Sequence, residues 1–147
     1  SIPGIRVGWV ASNTKVANIL RDYRDYTMIC AGVFDDMVAT LVLENKEAIL
    51  ERNRQIIEEN LALMDEWIAK EPKASWIRPA SVSTSFVKLD VDRPIEVFAL
   101  ELLQEYGVLV VPGNRFDKES HVRIGYCCDK EVLQKGLEKL SQFLNKC

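Results

Sequence analysis

The feature that most constrains this chain is a long stretch of helical periodicity between Lys46 and Lys70. Apolar residues recur there at the spacing of one helix face. They are Leu50, Ile57, Leu61, Met64 and Ile68. Proline disfavours helical geometry in the residue before it, so Glu71-Pro72 should end the stretch. The pattern predicts one long amphipathic helix, with a charged second face that is more typical of solvent contact than of recognition.

The residues after this helix switch between strand and helix periodicity. Phe86–Val91 and Val122–Cys127 alternate as strands, Val108–Val111 is short and apolar, and the intervening Pro94–Tyr106 is helical. A last helix is predicted over Lys130–Asn145, with Asp129 as its cap. This order predicts an α/β layer of the α+β kind, in which helices pack on one face of a small, largely antiparallel sheet.

The residues ahead of the long helix show shorter signals. Ile5–Ala11 alternates like a strand, with Ile5, Val7 and Trp9 on one face. Helical spacing begins at Lys15, and a second short helix is expected over Asp35–Leu43 with Asp35 as its cap. We expect the strand to belong to a sheet built mostly by other residues.

Composition excludes several classes of protein. The chain has 147 residues, 19 Lys and Arg against 22 Asp and Glu, and a net charge of -3. That charge gives no electrostatic reason to bind nucleic acid or an anionic membrane. Apolar residues nowhere run for the ~20 positions of a membrane helix, and the first residues lack a signal-peptide layout. We therefore expect a soluble, cytoplasmic protein.

The cysteines and the single histidine predict no metal site. Cys30, Cys127, Cys128 and Cys147 show no C-x-x-C spacing, and only His121 accompanies them. Reduced thiols in a reducing compartment are the simpler interpretation. His121 lies between a polar stretch and a strand, where a solvated or locally bonded histidine is commoner than a catalytic base.

Two arginines stand out because each lies within a predicted strand and is followed two residues later by glycine. These are Arg6 with Gly8 and Arg123 with Gly125. A guanidinium offers a rigid fork of donors that matches carboxylate and phosphate, so an Arg-x-Gly strand can present an anion site. The alternative is an exposed strand arginine paired with a neighbouring acid, and by itself each position favours that alternative.

Three sequence stretches change this interpretation. They are SIPGIRVGW at residues 1–9, VLVVPG at 108–113 and HVRIGY at 121–126. Together they resemble the C-terminal part of a fold type I pyridoxal-phosphate enzyme, in particular a class I/II aminotransferase. That family carries S-K-x-x-x-x-P-G-x-R-x-G-W and, later, G-V-x-V-x-P-G followed by a strand with R-I. The matching residues are Pro3, Gly4, Arg6, Gly8, Trp9, Gly107, Val108, Val110, Pro112, Gly113, Arg123 and Ile124.

The resemblance implies a division of the chain into three parts. Residues 1–43 would end the large pyridoxal-phosphate-binding domain, 44–70 would be the long interdomain helix, and 71–147 would form the C-terminal small domain. The family's Schiff-base lysine would fall three residues upstream of Ser1, and Lys15 lies on the wrong side of Arg6. We therefore expect a C-terminal fragment that contains no catalytic residue and is inactive alone.

The resemblance also implies a function for the full-length parent. It would be a homodimer that uses pyridoxal 5'-phosphate to transfer an amino group between an amino acid and a 2-oxo acid. Arg6 would bind the cofactor phosphate and Arg123 the substrate carboxylate, while Phe116 and Phe86 would wall the side-chain pocket. Neither nucleic acid nor membrane is expected as a partner.

Other functions stay open at this point. A β-lyase of the same fold would use the same residues, and a transcription regulator could carry an aminotransferase-like effector domain. An interaction domain without a ligand is disfavoured by the two Arg-x-Gly strands. The loops depart from the family where Ser83-Thr84-Ser85 replaces glycines and where Asp117 follows Phe116 in place of glycine. These departures leave the substrate undefined.

Overall fold

The computed structural model describes residues 2–80 and 82–146. The chain forms two compact units, one extending to Glu51 and the other beginning at Arg52. The long helix starts in the first unit and continues in the second. Among the described residues, no helix is long and apolar enough to cross a membrane.

The first unit contains a 3-10 turn at Pro3–Ile5 and two helices, α1 (Thr14–Thr27) and α2 (Val33–Glu44). The prediction of helix from Lys15 is confirmed, and the Asn13 side chain caps it by accepting a hydrogen bond from the Val16 amide at 3.0 Å. The predicted cap of α2 is wrong. Gly32 occupies the cap position and Asp35 lies in the first turn, where its charge complements the helix dipole.

The predicted strand at Ile5–Ala11 is also wrong. After the 3-10 turn, Arg6 adopts a left-handed φ of 51°, and residues 7–13 form no regular secondary structure. An extended segment becomes a strand only when a neighbouring strand accepts and donates its backbone hydrogen bonds. Within the described residues, no strand pairs with this segment. Alternation alone was therefore insufficient, and Pro3 favours the turn by fixing its own φ.

The long helix α3 (Lys46–Lys70) has the predicted bounds and ends before Pro72. The described residues beyond it form a four-stranded sheet with two more helices. The strands are β1 (Ala74–Trp76), β2 (Thr84–Leu89), β3 (Val111–Pro112) and β4 (His121–Gly125), and the helices are α4 (Ile95–Tyr106) and α5 (Lys130–Leu144). The strand order is β1-β2-β4-β3, and every neighbouring pair is antiparallel. This confirms the predicted fold class.

Three details of the sheet differ from the sequence prediction. Strand β1 was missed because three residues are too few to show alternation. Strand β3 begins at Val111 rather than Val108, because only Val111 and Pro112 face partners on β4. Strands β2 and β4 end about two residues earlier than predicted. The cap of α5 is confirmed, since the Asp129 side chain accepts a hydrogen bond from the Glu131 amide at 2.9 Å.

One face of the sheet is covered by helices. Alternate residues on β2 and β4, such as Val87 and Val122, are fully buried. They share one core with residues of α3, α4 and α5, namely Leu61, Met64, Phe98, Leu102, Leu137, Leu140 and Phe143. The other residues of the two strands are exposed or partly exposed, because successive side chains on a strand point to opposite faces. The sheet therefore has one closed face and one open face.

A pair of glycine substitutions tests the packing of the second unit. In Gly113→Ala, the new Cβ would lie well inside van der Waals contact with the carbonyl oxygens of Lys118 and His121. We expect the free energy of unfolding to fall by about 1–3 kcal/mol. Gly136→Ala is the control, because its Cβ meets open space in the middle of α5. It should raise the free energy by about 0.5–1 kcal/mol. Urea unfolding of both variants measures these changes. An unchanged free energy of unfolding in Gly113→Ala would contradict the close packing described for this glycine.

Candidate functional site

The open face of the sheet carries the residues that the sequence singled out. Phe86 on β2 stands directly opposite Arg123 on β4, and Val111 on β3 faces Arg123 from the other side. The flanking residues Ser85 and Ile124 are buried on the helix-covered side. Since successive side chains alternate, burial of those neighbours directs Phe86 and Arg123 to the open face.

Phe116 reaches the same face from a tight 3-10 turn, Gly113–Phe116. The turn begins with a glycine that lies against backbone carbonyl groups, where a side chain would not fit. It ends at Asp117, whose φ of 57° is left-handed. Glycine adopts this conformation without strain, and Asp is one of the few other residues that tolerate it. The departure from glycine at Asp117 thus leaves the turn intact.

These side chains border an open cleft. The Cζ atom of Arg123 lies 5.2 Å from the centroid of the Phe116 ring, in the range of a cation–π contact. The Phe116 and Phe86 rings meet edge to face, with centroids 5.9 Å apart. The cleft has a volume of about 250 Å³, and Thr84 and Ser85 complete its lining. Arg123, Phe116 and Phe86, which were predicted as substrate-binding residues, therefore lie together.

The charge of Arg123 is available at this cleft. Over residues 2–80 and 82–146, no carboxylate forms a salt bridge with it. Two other arginines of the same unit differ in this respect, because Arg93 pairs with Glu101 and Arg115 pairs with Glu96. The surface ion pair that the sequence left open for Arg123 is thus not the arrangement in the described structure.

Arg6 is exposed in the first unit, at the end of the first 3-10 turn. One terminal nitrogen of its guanidinium donates to the Pro3 carbonyl oxygen at 3.1 Å. No carboxylate of the described residues pairs with it. The remaining donors form a planar fork with the chemistry that suits a phosphate group.

The thiols and acids form no other site among the described residues. Cys30 and Cys127 are exposed and Cys128 is partly buried, all three as free thiols. Burial is the main reason why the pKa of the Cys128 thiol is raised, which disfavours the reactive thiolate. Cys147 lies outside the described residues. No group of three or more His, Cys, Asp or Glu side chains in the described part of the chain could hold a metal ion.

Comparison with known protein families identifies the chain. The sequence model for "Aminotransferase class I and II" matches residues 1–140. The chain belongs to the class I and II aminotransferase family. The match includes all the stretches on which the resemblance depended, and it confirms the family predicted from them.

Individual relatives agree with this assignment. Capreomycidine synthase of Streptomyces vinaceus is 28% identical over 97% of the chain, and an aspartate aminotransferase of Thermotoga maritima is 27% identical over 99%. A crystal structure of a PLP-dependent aminotransferase from Streptococcus suis is 66% identical over 99% of the chain, with a TM-score of 0.93. The chain spans 37% of the length of each of the two relatives and 39% of the solved chain.

His121 lies beside the cleft but does not line it. Its ring stacks on Phe86, with centroids 4.9 Å apart and planes inclined by 19°. Burial, followed by the nearby charges of Lys118 and Lys88, lowers the pKa of His121 below its ordinary value of 6.5. The lowered pKa and the contact with Phe86 favour a neutral His121 that packs locally over a charged group that binds a ligand.

A titration of His121 tests this environment. It is the only histidine of the chain, so one NMR signal reports it. We expect a pKa below 6.5, and a shift back towards 6.5 in Lys118→Gln but not in Lys135→Gln, whose lysine contributes nothing to the shift. Since the unfolded chain then binds more protons, stability should fall as pH drops from about 6.5 to the folded-state pKa. An unperturbed pKa would contradict the contacts described.

Proposed function

We propose that this chain is the C-terminal part of a pyridoxal-phosphate-dependent aminotransferase, which transfers an amino group between an amino acid and a 2-oxo acid. The observation that carries the proposal is the guanidinium of Arg123, without a carboxylate partner among the described residues, beside two phenylalanine rings. Family membership supports the reaction type. The chain spans less than half the length of these relatives, which supports the view that other residues complete the active site.

Arg123 binds the substrate carboxylate in this proposal. Two parallel N–H donors of the guanidinium match the two oxygens of a carboxylate, which fixes direction as well as position. The strand pairing on both sides of Arg123 holds its backbone still. Orientation of a substrate in this way lowers the barrier without any part in proton transfer. The role is therefore binding and alignment.

Phe116 and Phe86 form the wall next to the bound carboxylate. Their rings would shield one side of a bound substrate from water, which would strengthen the ion pair between Arg123 and a carboxylate. Thr84 contributes a polar side chain at the same cleft, whereas the Ser85 hydroxyl group donates to the Ile124 carbonyl oxygen on the covered side. The wall thus favours a substrate that carries an apolar portion close to its carboxylate.

Arg6 is proposed to bind the phosphate of the cofactor. Its exposed fork of donors suits the group, and it matches the arginine of the family motif. When bound, pyridoxal phosphate would supply an electron sink for chemistry at the substrate Cα. The part of Arg6 is to anchor the phosphate.

The remaining features of the proposal follow the family pattern. Residues 1–43 would end the large domain, 44–70 would connect the domains, and 71–147 would form the small domain. The full-length protein would be a homodimer of amino acid metabolism. A cytoplasmic location is supported by the free thiols of Cys30, Cys127 and Cys128, which are typical of reducing compartments.

The alternatives are less well supported. Capreomycidine synthase aside, the four relatives next in similarity and the Streptococcus suis structure are all named as aminotransferases, which favours transamination over the alternatives. A product assay on the full-length protein separates the enzymes. Amino transfer to a 2-oxo acid supports the proposal, whereas release of ammonia and pyruvate from a cysteine conjugate would indicate a lyase.

Substitution of Arg123 in the full-length protein tests its role. We expect Arg123→Ala to lower kcat/KM for the amino acid and to retain the cofactor. The loss of a charge-assisted pair corresponds to about 1.5–3 kcal/mol of transition-state stabilisation. Arg123→Lys should recover only part of this, since a point charge cannot replace the fork. Arg93→Ala is the control, as its partner is Glu101 on α4. Unchanged kcat/KM in Arg123→Ala would assign Arg123 to a surface role.

The chain alone should not acquire the cofactor covalently. Among its own residues, no lysine occupies the motif position ahead of Pro3. We therefore expect that borohydride reduction with pyridoxal phosphate labels no single lysine stoichiometrically, and that the chain shows no transamination. Mass spectrometry of the reduced sample measures this. One lysine labelled to completion would refute the expectation and point to a cofactor site within these residues.

A further inference from the structure

Two polar side chains are buried next to the cleft without lining it. Asn60 on α3 is 1% exposed, and Tyr126, which directly follows β4, is 0% exposed. Burial of a polar group is costly unless it is hydrogen-bonded. Sequence reasoning missed both residues. The available signal was an amide placed immediately before Leu61, on the buried stripe of an otherwise apolar helix face.

Asn60 fixes the backbone that leaves β4. Its Nδ2 atom donates to the carbonyl oxygen of Tyr126 at 2.7 Å and to that of Cys128 at 2.8 Å. Both carbonyl groups lie within five residues of Arg123. One amide of α3 therefore holds the end of the strand that carries the proposed carboxylate-binding residue.

Tyr126 extends this connection to the other side of the cleft. Its backbone amide donates to the Ser83 carbonyl oxygen at 3.0 Å, and its hydroxyl group donates to the Val82 carbonyl oxygen. The next residues along the chain, Thr84 and Ser85, line the cleft. Tyr126 therefore contacts the segment that leads into Thr84 and directly follows the strand that carries Arg123.

Loss of the hydroxyl bond of Tyr126 is expected to change position more than stability. Val82 is 51% exposed, so we expect water to replace the hydroxyl group at its carbonyl oxygen in a variant that lacks it. The ring of Tyr126 would stay buried in either case. Loss of this hydrogen bond should therefore make the residues at the start of β2 more mobile, while the Tyr126 ring still fills the core.

We propose that Tyr126, held by Asn60, is a positioning residue that sets the distance between the Thr84 side of the cleft and Arg123. This inference rests on the proposed function, because it assigns the consequence to substrate binding. Small displacements of a binding group have large effects on the orientation of a substrate. The hydrogen bonds from Asn60 to Tyr126 and from Tyr126 to Val82 would limit the displacement of Thr84 relative to Arg123.

Kinetics of the full-length protein test the proposal with Tyr126→Phe, which removes one hydroxyl group and keeps the ring. We expect KM for the amino acid to rise about 3- to 10-fold, the range of one hydrogen bond, while kcat changes less than about twofold. Tyr106→Phe is the matched control. Its ring packs on Phe143 and Lys146, between α4 and α5, and its KM should stay at the wild-type value.

Hydrogen exchange gives a second measurement that does not depend on activity. Peptides covering residues 82–88 should exchange faster in Tyr126→Phe and at the wild-type rate in Tyr106→Phe. A lower Tm in Tyr126→Phe with unchanged KM and unchanged exchange would overturn the proposal and leave Tyr126 a purely structural role.

Arg123→Ala separates failure of this inference from failure of the proposed function. If Arg123→Ala lowers kcat/KM and Tyr126→Phe leaves KM unchanged, the positioning role is wrong and the proposed function stands. If neither substitution changes kcat/KM, the carboxylate site itself is wrong, and the positioning role falls with it.

Discussion

The antiparallel pairing of β2 with β4 is the constraint on which the candidate site depends. Its register sets Phe86 opposite Arg123 and Val87 opposite Val122. Because side chains alternate, a slip of one residue would exchange the two faces and bury the guanidinium among α3, α4 and α5. The apolar packing of Val87 and Val122 against those helices therefore holds Arg123 on the open face, although neither valine lines the cleft.

A second constraint comes from the connection between α4 and β4. Helix α4 ends at Gly107, whose φ of 67° reverses the chain, and the later turn presents Phe116 to the cleft. The turn is held from α4, since Glu96 accepts hydrogen bonds from the side chains of Asn114 and Arg115. The Pro112-Gly113 motif of the family thus has a local reason, because only glycine allows the backbone of the turn to approach so closely.

The sequence predicted those elements whose evidence is local. Periodicity was sufficient for α3 and α5, and the family motif placed Arg123 beside Phe116. The prediction from alternation failed at Ile5–Ala11, because a strand depends on a partner elsewhere in the chain. It also missed Asn60 and Tyr126, whose hydrogen bond joins positions 66 residues apart. The amide of Asn60 on the apolar stripe of α3 was a signal for a buried polar residue, but no local pattern identifies its partner.

The environment of Arg123 explains how one guanidinium can be stabilised and still remain available. An ion pair such as Arg93 with Glu101 engages N–H donors with acceptor oxygens. The Phe116 ring instead attracts the charge through its π face and supplies no acceptor oxygen. Donors that are not engaged by a protein carboxylate stay free for one that arrives with a ligand. A phenylalanine at this position therefore leaves donors free that an acidic neighbour would engage, as the proposed carboxylate binding requires.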